Sequence, residues 1–300
     1  MVDKKTQREI HDIPINGMFP IEVFDWHGNA DTNYMLECHW HNEWEIFVLT
    51  KGRAYFVLDG NKTLMSENDI AFIPANRLHR AECIDQQPFY YRAIVFSADF
   101  LGGYIDLVQT KYVLPLFEQK LRVGSFFSGD ERFLKVFDKI CAAYGLAQPF
   151  YEMIIKGCMY ELLALLLSMS NAQETLQTGV ESASGKIIRE SMQFIHDNLS
   201  AKMTIENLSK RANMSEGYFS RLFKQYTSHS PIDYIIDARM SKACQMIARS
   251  DEKLSNIARD TGFNNVSYFV RTFTAFSGCP PSEYRRRQRE TAQENTNRRA

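Results

Sequence analysis

The sequence predicts an α+β protein of two domains. The first is an N-terminal β-barrel with accompanying helices; the second is an all-α domain with two helix-turn-helix units joined by a long helix. Three observations carry this. Short apolar and aromatic runs separated by turn residues fill positions 20–100, the mark of strands closing a barrel or sandwich. Beyond them, apolar residues recur at helical spacing. Finally, Tyr218-Phe219-Ser220-Arg221-Leu222-Phe223 returns as Tyr268-Phe269-Val270-Arg271-Thr272-Phe273, an offset of 50. A chain of 300 residues exceeds one ordinary core and suits two domains.

The strands come first. Glu45-Ile46-Phe47-Val48-Leu49 is a strand turned by Lys51-Gly52; Arg53 to Leu58 returns, and Asp59-Gly60 turns into Lys62-Thr63-Leu64. Ile70-Ala71-Phe72-Ile73 ends at Pro74, and Tyr90 to Phe96 is a further strand. After Ser97 the period becomes helical. Phe133, Val136, Phe137 and Ile140 share one face, as do Ile154, Ile155, Cys158, Leu162 and Leu165. These broad apolar faces are expected to pack on the barrel, with surplus surface left for a partner subunit. The Ser/Thr/Gln/Gly/Ala-rich stretch from Ser170 to Gly185 lacks periodicity and reads as an interdomain linker.

From Lys186 the pattern is helical up to an Arg/Gln/Asn-rich tail after Arg289, expected to fray. Thr204 is placed to cap a short helix through Ala212; Asn213-Met214-Ser215 turns, and Ser215 caps a helix to Tyr226. On that helix Phe219, Leu222 and Phe223 face inward, leaving Gly217, Ser220, Arg221 and Lys224 outside. Ser230-Pro231 opens a long helix with Pro at its tolerated first position; its stripe is Ile232, Ile235, Ile236, Met240, Ala243 and Ile247. The second unit repeats the plan, since Ile205 to Lys210 matches Leu254 to Arg259 at an offset of 49. One residue is therefore inserted near Gly262-Phe263-Asn264-Asn265, where turn residues cluster. The helix from Asn265 to Phe276 buries Phe269 and Phe273 and presents Ser267 and Arg271. Anchors behind and small or basic groups in front suit reading DNA through a groove.

Charge agrees with this division. Residues 184–289 carry 17 Lys/Arg against 10 Asp/Glu, and the remainder 18 against 26, although the net charge is −1. A basic segment joined to an acidic one fits nucleic-acid binding by one half. The six cysteines are scattered with no C-x-x-C pair, as in a reducing compartment. The N-terminus Met1-Val2-Asp3-Lys4-Lys5 leads into no apolar stretch, and the run Leu162 to Leu167 is far short of a membrane span. A cytoplasmic protein with no membrane partner is expected.

The stretch from Met203 to Arg287 resembles the double helix-turn-helix domain of AraC/XylS transcription regulators. The matching residues are Ile205, Leu208 and Ala212, then Met214-Ser215-x-x-Tyr218-Phe219-x-Arg221-x-Phe223-Lys224. Ser230-Pro231-x-x-Tyr234 and Arg239-x-x-x-Ala243 follow, then Ile257-Ala258-x-x-x-Gly262-Phe263-x-x-x-Ser267-Tyr268-Phe269-x-Arg271-x-Phe273 and Gly278-x-x-Pro281-Ser282-Glu283-Tyr284-Arg285. Ser228 stands where the family usually has glycine, and Thr274 where it usually has Lys or Arg, which puts one phosphate contact in question. The resemblance implies DNA contacts at Gly217, Ser220, Arg221, Lys224, Asn265, Ser267 and Arg271.

In the N-terminal half, His39 and His41 lie two apart on an expected strand and Glu45 has the same parity. His79 is expected to end a later strand. His39-x-His41-x3-Glu45-x6-Gly52, then Pro74-x4-His79, resembles the two motifs of cupin barrels, where these four residues bind a divalent metal. Asn33, Asn68 and Asn76 replace glycines of that pattern, and Cys83 replaces an Asn. Three readings stand: a small-molecule pocket, a metal site, or core histidines. The chosen one is a ligand pocket of His39, His41, Glu45, Arg53 and His79 with no metal or cofactor assigned. Trp40, Trp44 and Arg53 would stack on and clamp a sugar or small acid.

The expected protein is therefore a ligand-responsive, sequence-specific transcription regulator and not an enzyme. Residues 1–175 form a cupin-like sensing and dimerisation domain, 176–185 the linker, 186–289 the DNA-binding domain and 290–300 a disordered tail. Operator DNA, a sugar or other small metabolite, a second copy of the chain and RNA polymerase are the expected partners. Two alternatives are a cupin metalloenzyme with an appended DNA-binding module and a ligand-independent regulator whose barrel only dimerises.

Overall fold

The computed structural model describes residues 19–27, 34–84, 87, 90–102, 106–121, 123–170 and 182–287. The chain divides into two units, Met1–Gly185 and Lys186–Ala300. In the first, β1 Ile21–His27, β8 Tyr90–Phe96, β3 Trp44–Lys51, β6 Ile70–Ile73 and β9 Phe126–Phe127 form one antiparallel sheet in that order. A second sheet runs β2 Tyr34–His39, β7 His79–Cys83, β4 Ala54–Leu58, β5 Asn61–Met65.

Strand β3 explains how the layers stack. It is apolar on both faces, because each face meets a different core. Phe47 and Leu49 join Phe56, Ala81, Tyr91 and Ala93 between the two sheets. Ile46 and Val48 point the other way, with Phe72, Ile94 and Phe96. That outer core is closed by α2 Glu131–Leu146 and α3 Tyr151–Met169, through Phe133, Phe137, Ile140, Ile155 and Leu162. A short α1, Leu114–Phe117, follows a π-helical turn at Gln109–Val113 and adds Leu116. Ile154, read as part of the α3 stripe, is exposed instead; at its spacing it lies at the stripe's edge.

The turns explain several residues of the sequence. Asp59 and Gly60, both at positive φ, make the tight β4–β5 hairpin that Asp-Gly favours. Asn68 and Asn76, which replace glycines of the cupin pattern, have φ of 71° and 63°, a region Asn tolerates better than most residues. Asn33 lies outside the described residues.

The second unit is helical: α4 Ala183–Asp197, α5 Ile205–Arg211, α6 Glu216–Thr227, α7 Pro231–Arg249, α8 Leu254–Asp260 and α9 Val266–Ser277. Helix α4 begins three residues before the end assigned to the linker, so Ala183–Gly185 are helix. The linker residues 176–181 and the tail 290–300 lie outside the described residues.

The internal repeat is deeper than the repeated phrase. Ser215 and Asn265 cap α6 and α9 by accepting from the N–H of Tyr218 and Tyr268. Thr227 Oγ donates to the Phe223 and His229 carbonyls, and Ser277 Oγ to the Phe273 and Cys279 carbonyls. Tyr234 stands edge-on to Phe223 at 5.4 Å, and Tyr284 to Phe273 at 5.5 Å. The turns match at an offset of 49, Met214 N–H to the Ser209 carbonyl and Phe263 N–H to the Ala258 carbonyl. The inserted residue thus falls after Phe263.

Gly262 has a specific reason to be glycine. Its φ is +81°, and a Cβ there would strike the Leu199 carbonyl and come within 2.7 Å of the Arg239 guanidinium. Arg239 in turn donates to the Leu199 and Ala201 carbonyls. This contact ties the α4–α5 connection to α7 and to the second turn. Ile232, assigned to the buried stripe of α7, is exposed, while Ile235, Met240, Ala243 and Ile247 are buried.

Candidate functional site

Two surfaces matter, one in each unit. In the helical unit, α6 and α9 are each held by two phenylalanines with no exposed surface, Phe219 and Phe223 or Phe269 and Phe273. Truncating such a side chain costs about 3–5 kcal/mol, so the helices are fixed in rotation. Their outer faces follow from that anchoring. Gly217, Arg221 and Lys224 are exposed and Ser220 half-buried on α6; Asn265, Ser267 and Arg271 are exposed at α9.

Two of these positions have other work as well. Asn265 uses its carbonyl to cap α9, and Arg271 lies over the Tyr268 ring at 5.5 Å. Sequence reasoning missed Tyr218, 47% exposed, and Tyr268, 43% exposed, on the same outer faces. The signal was present: in each Tyr-Phe pair only the Phe lies at the buried helical spacing.

In the β-unit, His39, His41, Glu45 and His79 meet, all buried, with one donor atom of each within 4.8 Å of the others. The route differs from the one expected. His39 ends β2 and His41 lies in the β2–β3 connection, so the pair does not share strand parity. His79 begins β7 rather than ending a strand, directly opposite His39. Glu45 reaches across from the other sheet, sharing the parity of Phe47 and Leu49. The Asn76 N–H donates to the His41 carbonyl and fastens the two loops together.

The imidazoles are oriented by their own backbone. Each Nδ1 lies at hydrogen-bond distance from a carbonyl two residues away: His39 to Glu37 at 2.8 Å, His41 to Glu43 at 3.0 Å, His79 to Arg77 at 2.9 Å. His41 Nε2 and His79 Nε2 lie 3.0 and 3.2 Å from Glu45 Oε2, and the His39 and His79 rings are 4.1 Å apart. Burial, reinforced by the neighbouring His79 and His41, pushes the His39 imidazole well below its ordinary value. For Glu45, burial acts upward but is outweighed by His79 and by the hydrogen bonds of both imidazoles, so the carboxyl stays ionised.

His39, His41 and Glu45 line a cavity of about 40 Å³ with Phe24, Leu36, Tyr91 and Val95. One water requires about 10–15 Å³, so there is room for a few small groups. Arg53 is exposed in the β3–β4 connection and is not part of this lining. Trp44 points to the outer core, stacked on Phe72 at 5.4 Å, and Trp40 is buried away from the lining. The sugar-stacking and clamping roles expected of these residues are thereby corrected: even numbering on β3 carries Trp44 to the outer face. Chemically, three imidazoles and a carboxylate suit a divalent transition metal.

Two family profiles match the chain, the AraC-like ligand binding domain over residues 24–163 and a Helix-turn-helix domain over 208–287. The HTH-type transcriptional regulator YdeC of Bacillus subtilis is 22% identical over 285 residues, 89% of this chain and 92% of its own. The multiple antibiotic resistance protein MarA of Salmonella typhimurium is 32% identical over 98 residues, 33% of this chain and 77% of MarA. The chain belongs to the AraC family of transcription regulators.

The solved C-terminal domain of AraT, a response regulator from Geobacillus stearothermophilus, is 30% identical, covers 35% of this chain and 88% of that one, and gives a TM-score of 0.34. As an AraC-family member the protein is a DNA-binding transcription regulator with a ligand-binding domain. Its relatives are regulators rather than enzymes, which removes the metalloenzyme alternative. No helix among the described residues is long and apolar enough to cross a membrane. None of the six cysteines forms a disulfide.

Proposed function

We propose that this regulator senses a small metabolite at the cavity lined by His39, His41 and Glu45, with His79 against Glu45 beside it, and reads its operator through the outer faces of α6 and α9. The observation that carries the reading is the cluster itself. Four polar side chains are buried together at the end of an apolar inter-sheet core, where burial without full pairing is costly. Such a convergence of polar groups in a concave site is the usual form of a binding site. Arg53 falls outside it. The cavity of about 40 Å³ favours a compact metabolite.

On the DNA side, Gly217, Ser220, Arg221 and Lys224 would meet one groove, and Asn265, Ser267 and Arg271 the next. Effector binding acts by shifting the population of conformations that present these faces. A homodimer, formed where Leu146, Phe150 and Met153 stand exposed at the α2–α3 end, and contact with RNA polymerase in a cytoplasmic setting complete the reading.

The test is operator titration with and without small carboxylates, keto acids and short polyols, followed in the wild type, His41→Ala and Glu45→Ala. Both variants are expected to lose the response to the effector while keeping the operator affinity of the effector-free wild type, because the DNA readers form a separate unit. A normal response in both would make the cluster ordinary core, and no response to any effector in the wild type would favour a barrel that only dimerises.

A further inference from the structure

We infer that Arg239 is the positioning residue that holds α9 in place relative to α6, and so sets the spacing of operator halves the chain accepts; this rests on the reading that both helices enter grooves of one operator. Helix α7 serves two cores in succession. Near its start Tyr234 backs the first reader, edge-on to Phe223, and its hydroxyl meets His196 Nε2 at 2.8 Å. Further along, Met240, Ala243 and Ile247 belong to the second core, with Phe269 and Phe273. Arg239 stands where one duty ends and the other begins.

Its side chain touches both units. Arg239 Nε donates to the Leu199 carbonyl at 2.9 Å and Nη2 to the Ala201 carbonyl at 2.7 Å, so it grips the connection leading into α5. The same guanidinium lies 5.8 Å from the centre of the Phe263 ring, within cation–π reach. Phe263 packs edge-on against Phe269 at 5.5 Å and lies 5.9 Å from Tyr268, at the base of α9. Gly262 leaves room for this approach, since a Cβ there would come within 2.7 Å of the guanidinium. One side chain thus joins a pair of carbonyls in the first unit to the aromatic seat of the second reader.

A shared helix fixes the distance between two units, but each can still rock about its own end. A second attachment beside the helix removes that freedom. The fork matters here more than the charge: a guanidinium presents its donors in one plane, whereas a Lys ammonium is a single point that cannot span two carbonyls and cover a ring. Burial works against the charge and holds the guanidinium below its ordinary value, which a group kept only for solubility would avoid. Nor is the arrangement a by-product of the repeat. The connection into α8 is gripped by Arg285, through the Ile247 and Glu252 carbonyls, yet at the offset of 50 Arg285 matches Ile235. On DNA, one added base pair moves the second groove by about 3.4 Å and about 35°. A rigid pair of readers rejects that change. A pair that rocks tolerates it, and binds the matched site less tightly because its second contact forms at a lower effective concentration.

The experiment uses the full chain and a duplex that the wild type selects from a random-sequence pool. The variant is Arg239→Lys, which keeps the charge and removes the fork. Affinity is measured on that duplex, on versions with either half scrambled, and on versions with base pairs added or removed between the halves. Arg239→Lys should bind the matched duplex about tenfold more weakly, bind each single half as the wild type does, and lose most of the discrimination against altered spacing. Arg285→Lys is the comparison: it loosens the second unit alone and should weaken the half read by α9 while leaving the preferred spacing sharp. Circular dichroism checks folding, and Arg239→Gln replaces the lysine variant if that one does not fold. Equal losses on single halves and on the full duplex, with the spacing preference intact, would make Arg239 a stabiliser of the fold and overturn the inference. A wild-type footprint on a single groove would instead remove the two-reader function on which the inference rests.

Discussion

Ser228 and Gly278, fifty positions apart, close α6 and α9 in the same left-handed conformation, with φ of 66° and 75°. Glycine adopts that conformation freely, whereas an L side chain pays about 1–2 kcal/mol. Glycine's greater freedom in the unfolded chain returns about 0.5–1 kcal/mol. Ser228→Gly should therefore stabilise the helical unit by about 0.5–1 kcal/mol, read from the midpoint of urea unfolding; a lower midpoint would mean that the Ser228 side chain supplies more than the backbone loses. The position was legible as a departure from the family pattern, and its conformation explains why glycine is usual there. The histidines were equally legible as a group, but their placement was not. Parity was counted through His41 as if β2 and β3 were one strand, while the chain leaves the sheet after His39. Arg53 and Trp44 were nearby in sequence and were drawn into the pocket for that reason alone.

At the scale of the element, α6 and α9 show how an anchored helix acquires a working face. With Phe219, Phe223, Phe269 and Phe273 fully buried, rotation is fixed and Arg221 and Arg271 must face solvent. Arg221→Ala and Arg271→Ala are each expected to weaken specific operator binding by about 1–3 kcal/mol if they reach base edges, with unfolding almost unchanged. Equal affinity in both variants, measured by fluorescence anisotropy on operator DNA, would show that other side chains read the bases. These helices were easy to find because apolar spacing and caps gave the same answer. Strands β2 and β7 were harder. Tyr34-Met35-Leu36-Glu37-Cys38-His39 and His79-Arg80-Ala81-Glu82-Cys83 mix polar and apolar residues without clean alternation. They read as strands only through their cross-sheet partners, with Leu36 opposite Ala81 and His39 opposite His79.

For the whole molecule, the basic balance of residues 184–289, 17 Lys/Arg against 10 Asp/Glu, should appear as salt dependence. A fragment from Ser182 to Ala300 is expected to fold alone and bind DNA of any sequence, with log affinity falling linearly in log salt. On an operator it should protect two successive major grooves about 34 Å apart; a footprint confined to one groove would rule out simultaneous use of both units. The two-unit plan was readable from composition and repetition, because each unit buries its own core. The end of the linker was not, since Ser184 and Gly185 are weak helix formers and are helical only as the first turn of α4. Helix α7, nineteen residues long, spans about 28 Å at about 1.5 Å per residue. It therefore works as a keyed shaft. One inserted residue would turn the second reader by about 100° and move it by about 1.5 Å, so the gap between operator halves cannot be changed one residue at a time. The letters of the operator can drift one side chain at a time, while its spacing is inherited almost whole.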